Sequence, residues 1–583
     1  MTPARFEGVV FEGCFGWLHP AGGRRGVVLC SPHGHEELCV HRSWAALADR
    51  LAAAGMPTLR FDYPGTGDSA GSDEEPERAR AWLDGIHAAI RFLRAATGVE
   101  EVALVGLRLG GTLAAMAAAE RGGVERLVLM APCASGKAYA HEMKAMGRLA
   151  GAPQPPEGVE FAGFRLTAGT LAGMRALDLA ALPARPAPKI LLLARTDVRD
   201  GATLAARLRA LGAEVEEEPF ADLAALMNSV SRALLPAAPL DRVAAWLGAD
   251  APEGAAAWTP PDALAPPARL ELPGAVETPV RFGSGLFGIL CEPVLCGGPG
   301  RPAVLLLNSG ATHHVGSGRM SVTLARRLAA RGYASLRMDA AGLGDSAPCP
   351  GRGDNLIYCC DGPDDTRAAL DWLEGRGYPR VVAVGLCAGA TLALHTALAD
   401  PRVAAQALVN PGRFLLSAEG FTSEAVIQEA AKRPRDYLPK VADPRAWRAV
   451  LRSDPKALRV VRTLAARAVD VLRDRFGSGA ASGDAAQWFR RLGERGVSTL
   501  LLYSAGDVTL GELESRLGRG GRRLRGVAGV RLETLEDADH SLMLRAAQER
   551  FAARLEEHLA TLSAANQTEE PAGRPARMGA PGA

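Results

Sequence analysis

A surplus of charge of either sign is missing from this 583-residue chain: 67 Lys and Arg against 65 Asp and Glu leave a formal net charge of +2. That balance excludes the global basic field on which nucleic-acid binding depends. Long apolar runs are missing too. A membrane-spanning helix needs about 20 consecutive apolar residues, and the chain offers no such run. Its first residues, Met1-Thr2-Pro3-Ala4-Arg5-Phe6-Glu7, hold no basic segment followed by an apolar one, so no secretory signal is expected. Cysteine is sparse and irregular. Ten residues without framework spacing suit reduced thiols and a cytoplasmic setting. Cys359 and Cys360 are vicinal, Cys291 and Cys296 stand too far apart for a CxxC pair, and no second close Cys/His pair completes a zinc site. Neither a metal nor a cofactor is expected.

What is present begins with length, since 583 residues exceed one hydrophobic core and call for two or more domains. A hydrophobic fraction of 48% and a charged fraction of 23% are those of an ordinary globular protein. An internal repeat then organises the chain. Leu59-Arg60-Phe61-Asp62-Tyr63-Pro64-Gly65-Thr66-Gly67-Asp68-Ser69 is echoed by Leu336-Arg337-Met338-Asp339-Ala340-Ala341-Gly342-Leu343-Gly344-Asp345-Ser346, and Phe11–Leu18 by Phe282–Ile289. Arg42 and Arg319 are separated by 277 residues, as are Asp62 and Asp339.

Within each copy, short β-rich runs alternate with helical patterns. In the second the runs are Ala303–Leu307, Ala334–Met338, Val381–Val384, Ala405–Val409 and Thr499–Tyr503, with helices expected over Ser321–Ala330 and Asp364–Glu374. Such alternation predicts an α/β fold, a mostly parallel sheet flanked by helices, in each copy. The expected domains are residues 1–247 and 274–562. An Ala/Pro-rich linker over 248–273 joins them, a helical cap spans about 412–495 in the second, and a disordered tail covers 563–583.

Each copy also contains a strand, a sharp Gly-flanked turn and a helix. In the second this is Val381–Val384 followed by Gly385-Leu386-Cys387-Ala388-Gly389; in the first, Val102–Val105 followed by Gly106-Leu107-Arg108-Leu109-Gly110. The pattern is that of a nucleophile elbow, which holds one reactive side chain on a strained turn whose crowded flanks admit only small residues. Cysteine occupies the reactive position in the second copy and arginine in the first. An elbow cysteine needs a base, and the base an orienting acid. Downstream of Cys387, Asp507 follows the run Thr499–Tyr503, and His540 stands on a loop ahead of the last helix. Asp537 and Asp539 compete with Asp507 for the acid role. Backbone N–H groups of Ala388 and of the loop Asn308–Thr312, at Gly310 and Ala311, would form the oxyanion hole. His313 and His314 extend that loop, toward a pocket or simply into packing.

These residues resemble the α/β-hydrolase superfamily over nearly all of both copies. More narrowly, Gly385-Leu386-Cys387, Val315-Gly316-Ser317-Gly318-Arg319 and Gly342-Leu343-Gly344-Asp345-Ser346 look like the bacterial α/β-hydrolases associated with exosortase A systems, some of which carry a Gly-Leu-Cys elbow. Those relatives usually have an acidic residue where Ala388 stands. The resemblance implies two tandem α/β-hydrolase domains, the second catalytic through Cys387, His540 and Asp507.

The first copy is expected to be degenerate. Arg108 takes the nucleophile position, and matching Leu226-Met227 with Leu542-Met543 puts Ala224 where His540 stands; Asp197 keeps the acid position. Arg108 either plugs the old pocket, paired with Asp197 or Glu37, or grips a ligand anion, and the need of a buried charge for a partner favours the plug.

A thiolate exchanges readily with thioesters, so the leading expectation is a thioester hydrolase or acyltransferase. A small-ester or lactone hydrolase of dienelactone-hydrolase type and a non-catalytic scaffold are the alternatives. Elbow and acid are 120 residues apart in the second copy and 89 in the first. Within that longer span, Lys432–Arg475 holds 13 Lys/Arg and 5 Asp/Glu, either solvated helix faces or a basic surface for coenzyme A or an acyl carrier protein. Phe414, Phe421, Trp447, Trp488 and Phe489 would line an acyl pocket or fill a core. The two copies are expected to pack as a pseudo-dimer.

Overall fold

A computed structural model of the chain describes residues 6–151, 154–197, 200–227, 230, 236–251, 268–295, 301–348, 355–417 and 484–569. Its strands follow from the apolar runs. In the first copy they are β1 (Glu7–Phe11), β2 (Cys14–His19), β3 (Arg25–Cys30), β4 (Thr58–Phe61), β5 (Glu101–Leu107), β6 (Arg126–Met130), β7 (Gly158–Phe161), β8 (Phe164–Thr167), β9 (Lys189–Arg195) and β10 (Glu214–Phe220). In the second they are β11 (Leu270–Leu272), β12 (Ala275–Phe282), β13 (Leu286–Pro293), β14 (Ala303–Leu306), β15 (Ser335–Asp339), β16 (Val381–Leu386), β17 (Val403–Val409), β18 (Ser498–Ser504) and β19 (Val530–Leu535).

The first sheet runs β1-β2-β4-β3-β5-β6-β9-β10, and the second runs β11-β12-β13-β15-β14-β16-β17-β18-β19. Apart from the added β11, the two orders correspond strand for strand. The leading hairpins and the pairs β2–β4 and β13–β15 are antiparallel, and from β4 and β15 onward each of these two sheets is parallel; β7 and β8 form a separate antiparallel hairpin. Side chains alternate across each sheet, as pleating requires. Leu104, Leu127 and Leu192 join one core, and Val105, Val128 and Leu191 the core on the opposite face. Every residue of β16 is buried, as a central parallel strand covered on both faces demands.

Helices Met320–Ala329 and Gly362–Gly375 fall close to their expected places. Helix Ala237–Gly248 closes the first copy, and β11 pairs with β12 inside the span read as linker. The last helix, Arg545–Glu569, runs past the expected start of the tail. Most of the expected cap, with Phe421, Trp447 and all of Lys432–Arg475, lies outside the described residues. Of its aromatic residues that are described, Phe414 and Phe489 are core, with ring centroids 6.2 Å apart. No described helix is long and apolar enough to cross a membrane.

Equivalent residues of the copies meet one another. Phe15 and Trp17 of β2 pack with Phe287 and Ile289 of β13. Arg60 Nη2 donates to Asp345 Oδ1 at 2.9 Å, while its counterpart Arg337 donates to Asp68. Arg42 Nη1 donates to the Gly344 carbonyl at 3.0 Å, and its counterpart Arg319 donates to the Gly67 carbonyl at 2.6 Å. His314 sits between Asp68 and Asp339, 2.7 Å from each, so it belongs to this seam. The neighbouring His313 stacks on His41 at 3.8 Å.

Candidate active site

Cys387 joins β16 to helix Ala388–Ala399 with φ 56° and ψ −112°. A non-glycine residue at positive φ is strained, and close packing at the two flanks enforces the turn. A Cβ on Gly385 would collide with the backbone of Gly389, and one on Gly389 would stand 2.5 Å from the Asn308 carbonyl oxygen. The helix that follows leaves its first N–H groups without intrahelical acceptors and directs its positive dipole end at the sulfur. Ala388 opens that helix.

His540 reaches the elbow from the loop after β19. Its Nδ1 is 3.0 Å from Asp507 Oδ2, and the Cys387 sulfur lies near enough to favour the charged imidazole. Burial alone would lower the imidazole. Attraction to the Cys387 sulfur and the bond to Asp507 outweigh it, holding His540 well above its ordinary range. Burial would likewise raise Asp507, but bonds from His540 and from Thr509, whose N–H donates at 2.7 Å, keep its carboxyl below the usual range. Asp539 serves the loop instead: its carboxylate accepts from the N–H groups of Ser541 and Met543 at 3.2 and 2.7 Å. Asn410 fastens the same loop, donating to the His540 carbonyl at 2.8 Å.

Asn308 holds the facing loop, donating to the Thr312 carbonyl at 3.0 Å and to Asp339 Oδ1 at 2.8 Å. Gly310 lines the cavities on both sides of the elbow, whereas Ala311 lines a separate cleft beside His41 and His313. One residue at the site was not anticipated. Tyr358 is buried, its Oη lies 3.3 Å from Cys387 Sγ, and its backbone has φ 59°. Nothing in the spacing of Asn355-Leu356-Ile357-Tyr358 points to the elbow, because only the chain path across the strand ends brings the ring there.

In the first copy Arg108 has φ 54° and ψ −124°. Its partners differ from those expected. Nε donates to Glu36 Oε1 at 2.8 Å and Nη2 to Glu142 Oε2 at 2.6 Å. Glu37 faces away to His41, 2.9 Å from its Nδ1, because one residue along a helix turns the side chain by about 100°. Asp197 lies exposed at the end of β9, held in a two-pronged bond by Arg195 at 2.8 and 3.0 Å. Ala224 is an exposed position of the short helix Leu223–Leu226. Arginine holds the elbow position, and the residues matched to the acid and the histidine, Asp197 and Ala224, are both exposed. A cavity of about 500 Å³ remains over it, lined by Arg108, Cys133, Tyr139, Glu142, Arg195 and Arg207 among others.

Among the described residues, two clusters have the composition of a metal site: Glu37, His41 and His313, and His314, Asp339 and Asp345. Both are parts of the seam, where Arg60, Arg337 and the imidazoles already balance the carboxylates.

Family models match each copy separately. A model described as the alpha/beta hydrolase family matches residues 304–554, and one described as serine aminopeptidase S33 matches residues 23–159. The chain therefore carries two α/β-hydrolase domains in tandem. No curated protein matches the sequence. Among solved structures, it is similar to a hypothetical protein, PA2218, from Pseudomonas aeruginosa, with 17% identity, a TM-score of 0.33, and coverage of 42% of this chain and 94% of that one. It is also similar to Est1E from Butyrivibrio proteoclasticus with ferulic acid bound, at 16% identity and a TM-score of 0.32, covering 41% of this chain and 96% of that one. For the Pyrococcus furiosus esterase Pf2001 the figures are 14% identity, a TM-score of 0.30, and 42% and 89% coverage.

Proposed function

We propose that the second domain is a cysteine-dependent acyl hydrolase or acyltransferase acting on a thioester or ester. The observation that carries this reading is the chain of contacts from Asp507 through His540 to Cys387 at the mouth of a cavity. His540 takes the proton of the Cys387 thiol, and the sulfur attacks the substrate carbonyl. Negative charge then develops on the carbonyl oxygen, and its proposed donors are the amides of Ala388 and Gly310, residues that border the cavities at the elbow. Collapse breaks the bond to the leaving thiol or alcohol, which receives the proton from His540. An acyl-cysteine remains, and water or a second acceptor, deprotonated by His540, releases the acyl group and restores the thiol.

A thioester is the favoured substrate, because exchange between two sulfurs is nearly isoenergetic and a thiolate is the better nucleophile toward it. Coenzyme A or an acyl carrier protein is the donor proposed from the basic run Lys432–Arg475. The Gly-Leu-Cys elbow supports the narrower likeness to exosortase-A-associated hydrolases, and the irregular spacing of the ten cysteines supports a reducing, cytoplasmic setting. The first domain is proposed to be a pseudoenzyme packed on the second as an internal pseudo-dimer, a reading supported by the reciprocal Arg60–Asp345 and Arg337–Asp68 pairs.

Intact-mass spectrometry of the full chain, with acyl thioesters and aryl esters as donors and Cys387→Ala as the control, tests the proposal. Acylation by thioesters that the Cys387→Ala variant abolishes is expected. Equal use of simple esters or lactones would make the domain an ester hydrolase of wider scope. No adduct with any donor would leave a scaffold.

A further inference from the structure

The cavity onto which Cys387 opens is not built by the second domain alone. Its volume is about 70 Å³, and its walls include Ser309, Gly310, Thr312 and Met543 from the second domain but Leu38 and Ala162 from the first. Ala162 sits at the tip of the β7–β8 hairpin, where Ala162 and Gly163 both have positive φ, 53° and 82°. That is the two-residue turn whose twist matches a hairpin. The tip is pressed against the second domain. A Cβ on Gly163 would stand 2.9 Å from Gly318 Cα and 3.0 Å from the Met543 carbonyl oxygen.

Charged contacts fix the hairpin there. The Arg545 N–H donates to Glu160 Oε1 at 2.9 Å and its Nη2 to the Gly163 carbonyl at 3.3 Å, while Asp73 accepts from Arg545 Nη2 at 2.6 Å and from the Arg165 N–H of the hairpin at 3.0 Å. Arg545 begins the helix that follows the His540 loop, so the hairpin is tied to the segment that carries His540. Side chains that crowd a reacting sulfur from a fixed distance limit what can approach it.

We propose that the first domain is the specificity wall of the second: Leu38 and Ala162 set the size of the group that can stand beside Cys387. The inference rests on reading Cys387 as the nucleophile, but its test requires no acyl chemistry. The rate of Cys387 alkylation is followed by peptide mass spectrometry on the full chain with a small reagent, iodoacetamide, and a bulky one, N-phenylmaleimide. Ala162→Trp is expected to slow the bulky reagent about tenfold more than the small one, the discrimination a tightly packed pocket attains. Leu38→Ala opens the wall and is expected to shift the ratio of the two rates the other way. Glu157→Trp, at an exposed position before β7, leaves the ratio unchanged. An unchanged ratio in both Ala162→Trp and Leu38→Ala overturns the proposal. If Ala162→Trp does not fold, the ratio in Leu38→Ala decides alone. A shifted ratio in a protein that no acyl donor modifies would retain the wall and remove the acyl chemistry.

Discussion

Arg108 and Cys387 occupy the same backbone conformation, φ 54° with ψ −124° and φ 56° with ψ −112°, at the same turn of two sheets with matching strand order. Positive φ at a non-glycine residue costs roughly 1–3 kcal/mol. In the second domain that strain presents a sulfur to a histidine. In the first it presents a guanidinium to two carboxylates. The charges around Arg108 make a specific demand: Arg108→Ala leaves the partly buried Glu36 without its hydrogen-bonded cation. A loss of stability of roughly 3 kcal/mol is expected, the lower end of the range for a broken buried pair, because the Glu142 side chain is 41% exposed. Calorimetric or denaturant unfolding measures it. Arg108→Cys restores no activity, since Ala224 supplies no base.

Removing the relay should act on the rate and hardly at all on the fold. His540→Ala is expected to lower acylation by about 10²–10⁴-fold, the usual contribution of a positioned base. Asp507→Asn should fall in the same range because it frees the imidazole to adopt the wrong tautomer. Single-turnover acylation with unchanged circular dichroism is the measurement. Full activity in either variant would remove that residue from the mechanism.

Tyr358 supplies the cleanest separation of polarity from shape. Tyr358→Phe keeps the ring in place and deletes the hydroxyl 3.3 Å from Cys387 Sγ. A hydrogen bond to a group that becomes charged contributes about 1.5–3 kcal/mol, so roughly ten- to hundredfold slower acylation with little change in substrate affinity is expected. A change in KM alone would assign the hydroxyl to substrate binding.

The seam between the domains should be costly to break. Arg337 is fully buried between Asp68 and Glu277, donating to the latter at 2.9 Å. Arg337→Met takes a shared cation from both buried carboxylates, leaving Asp68 to His314 and Glu277 to Arg326, and should destabilise the chain by about 3 kcal/mol, the lower end for a broken buried pair. A double-mutant cycle with Asp68→Asn tests the pairing: the second change should cost less once Arg337 is gone, and strict additivity would contradict it.

Stability should decline on both sides of neutrality. Burial would lower His41, but Asp345 at 3.0 Å and Glu37 at 2.9 Å raise it to about 9. Since the unfolded value is near 6.5, its contribution is complete below about pH 6.5 and disappears as pH rises through about 9. Burial lowers His33 and His313 to about 4. There the unfolded state binds more protons, so stability falls as pH drops from about 6.5 toward 4. Denaturation midpoints across pH 4 to 9.5 should trace this dome, and His41→Gln should flatten its alkaline side.

Much of this was legible in the chain itself. The repeat, the alternation of strands with helices and the two elbows depend on local sequence, because pleating, helical periodicity and small-residue turns are encoded within a few residues. Corrections came where side chains meet across distance. Glu36 rather than Glu37 pairs with Arg108 because helix rotation decides which of two adjacent acids faces the pocket. The β7–β8 hairpin is not legible from its turn, because Ala162-Gly163 lacks the Asn or Asp before glycine that marks such a turn.

By itself, the sequence determined that one fold is written twice, that a cysteine stands at one elbow and an arginine at the other, and that an acid and a histidine follow the cysteine in order. Only the tertiary structure decided that Asp507 and not Asp539 meets His540, that Tyr358 touches the sulfur, and that Leu38 and Ala162 from the first domain stand at the second domain's cavity. Order along a chain follows from covalent connectivity. Which side chains share a few ångströms of space follows from how whole sheets and domains pack, and no local pattern carries that information.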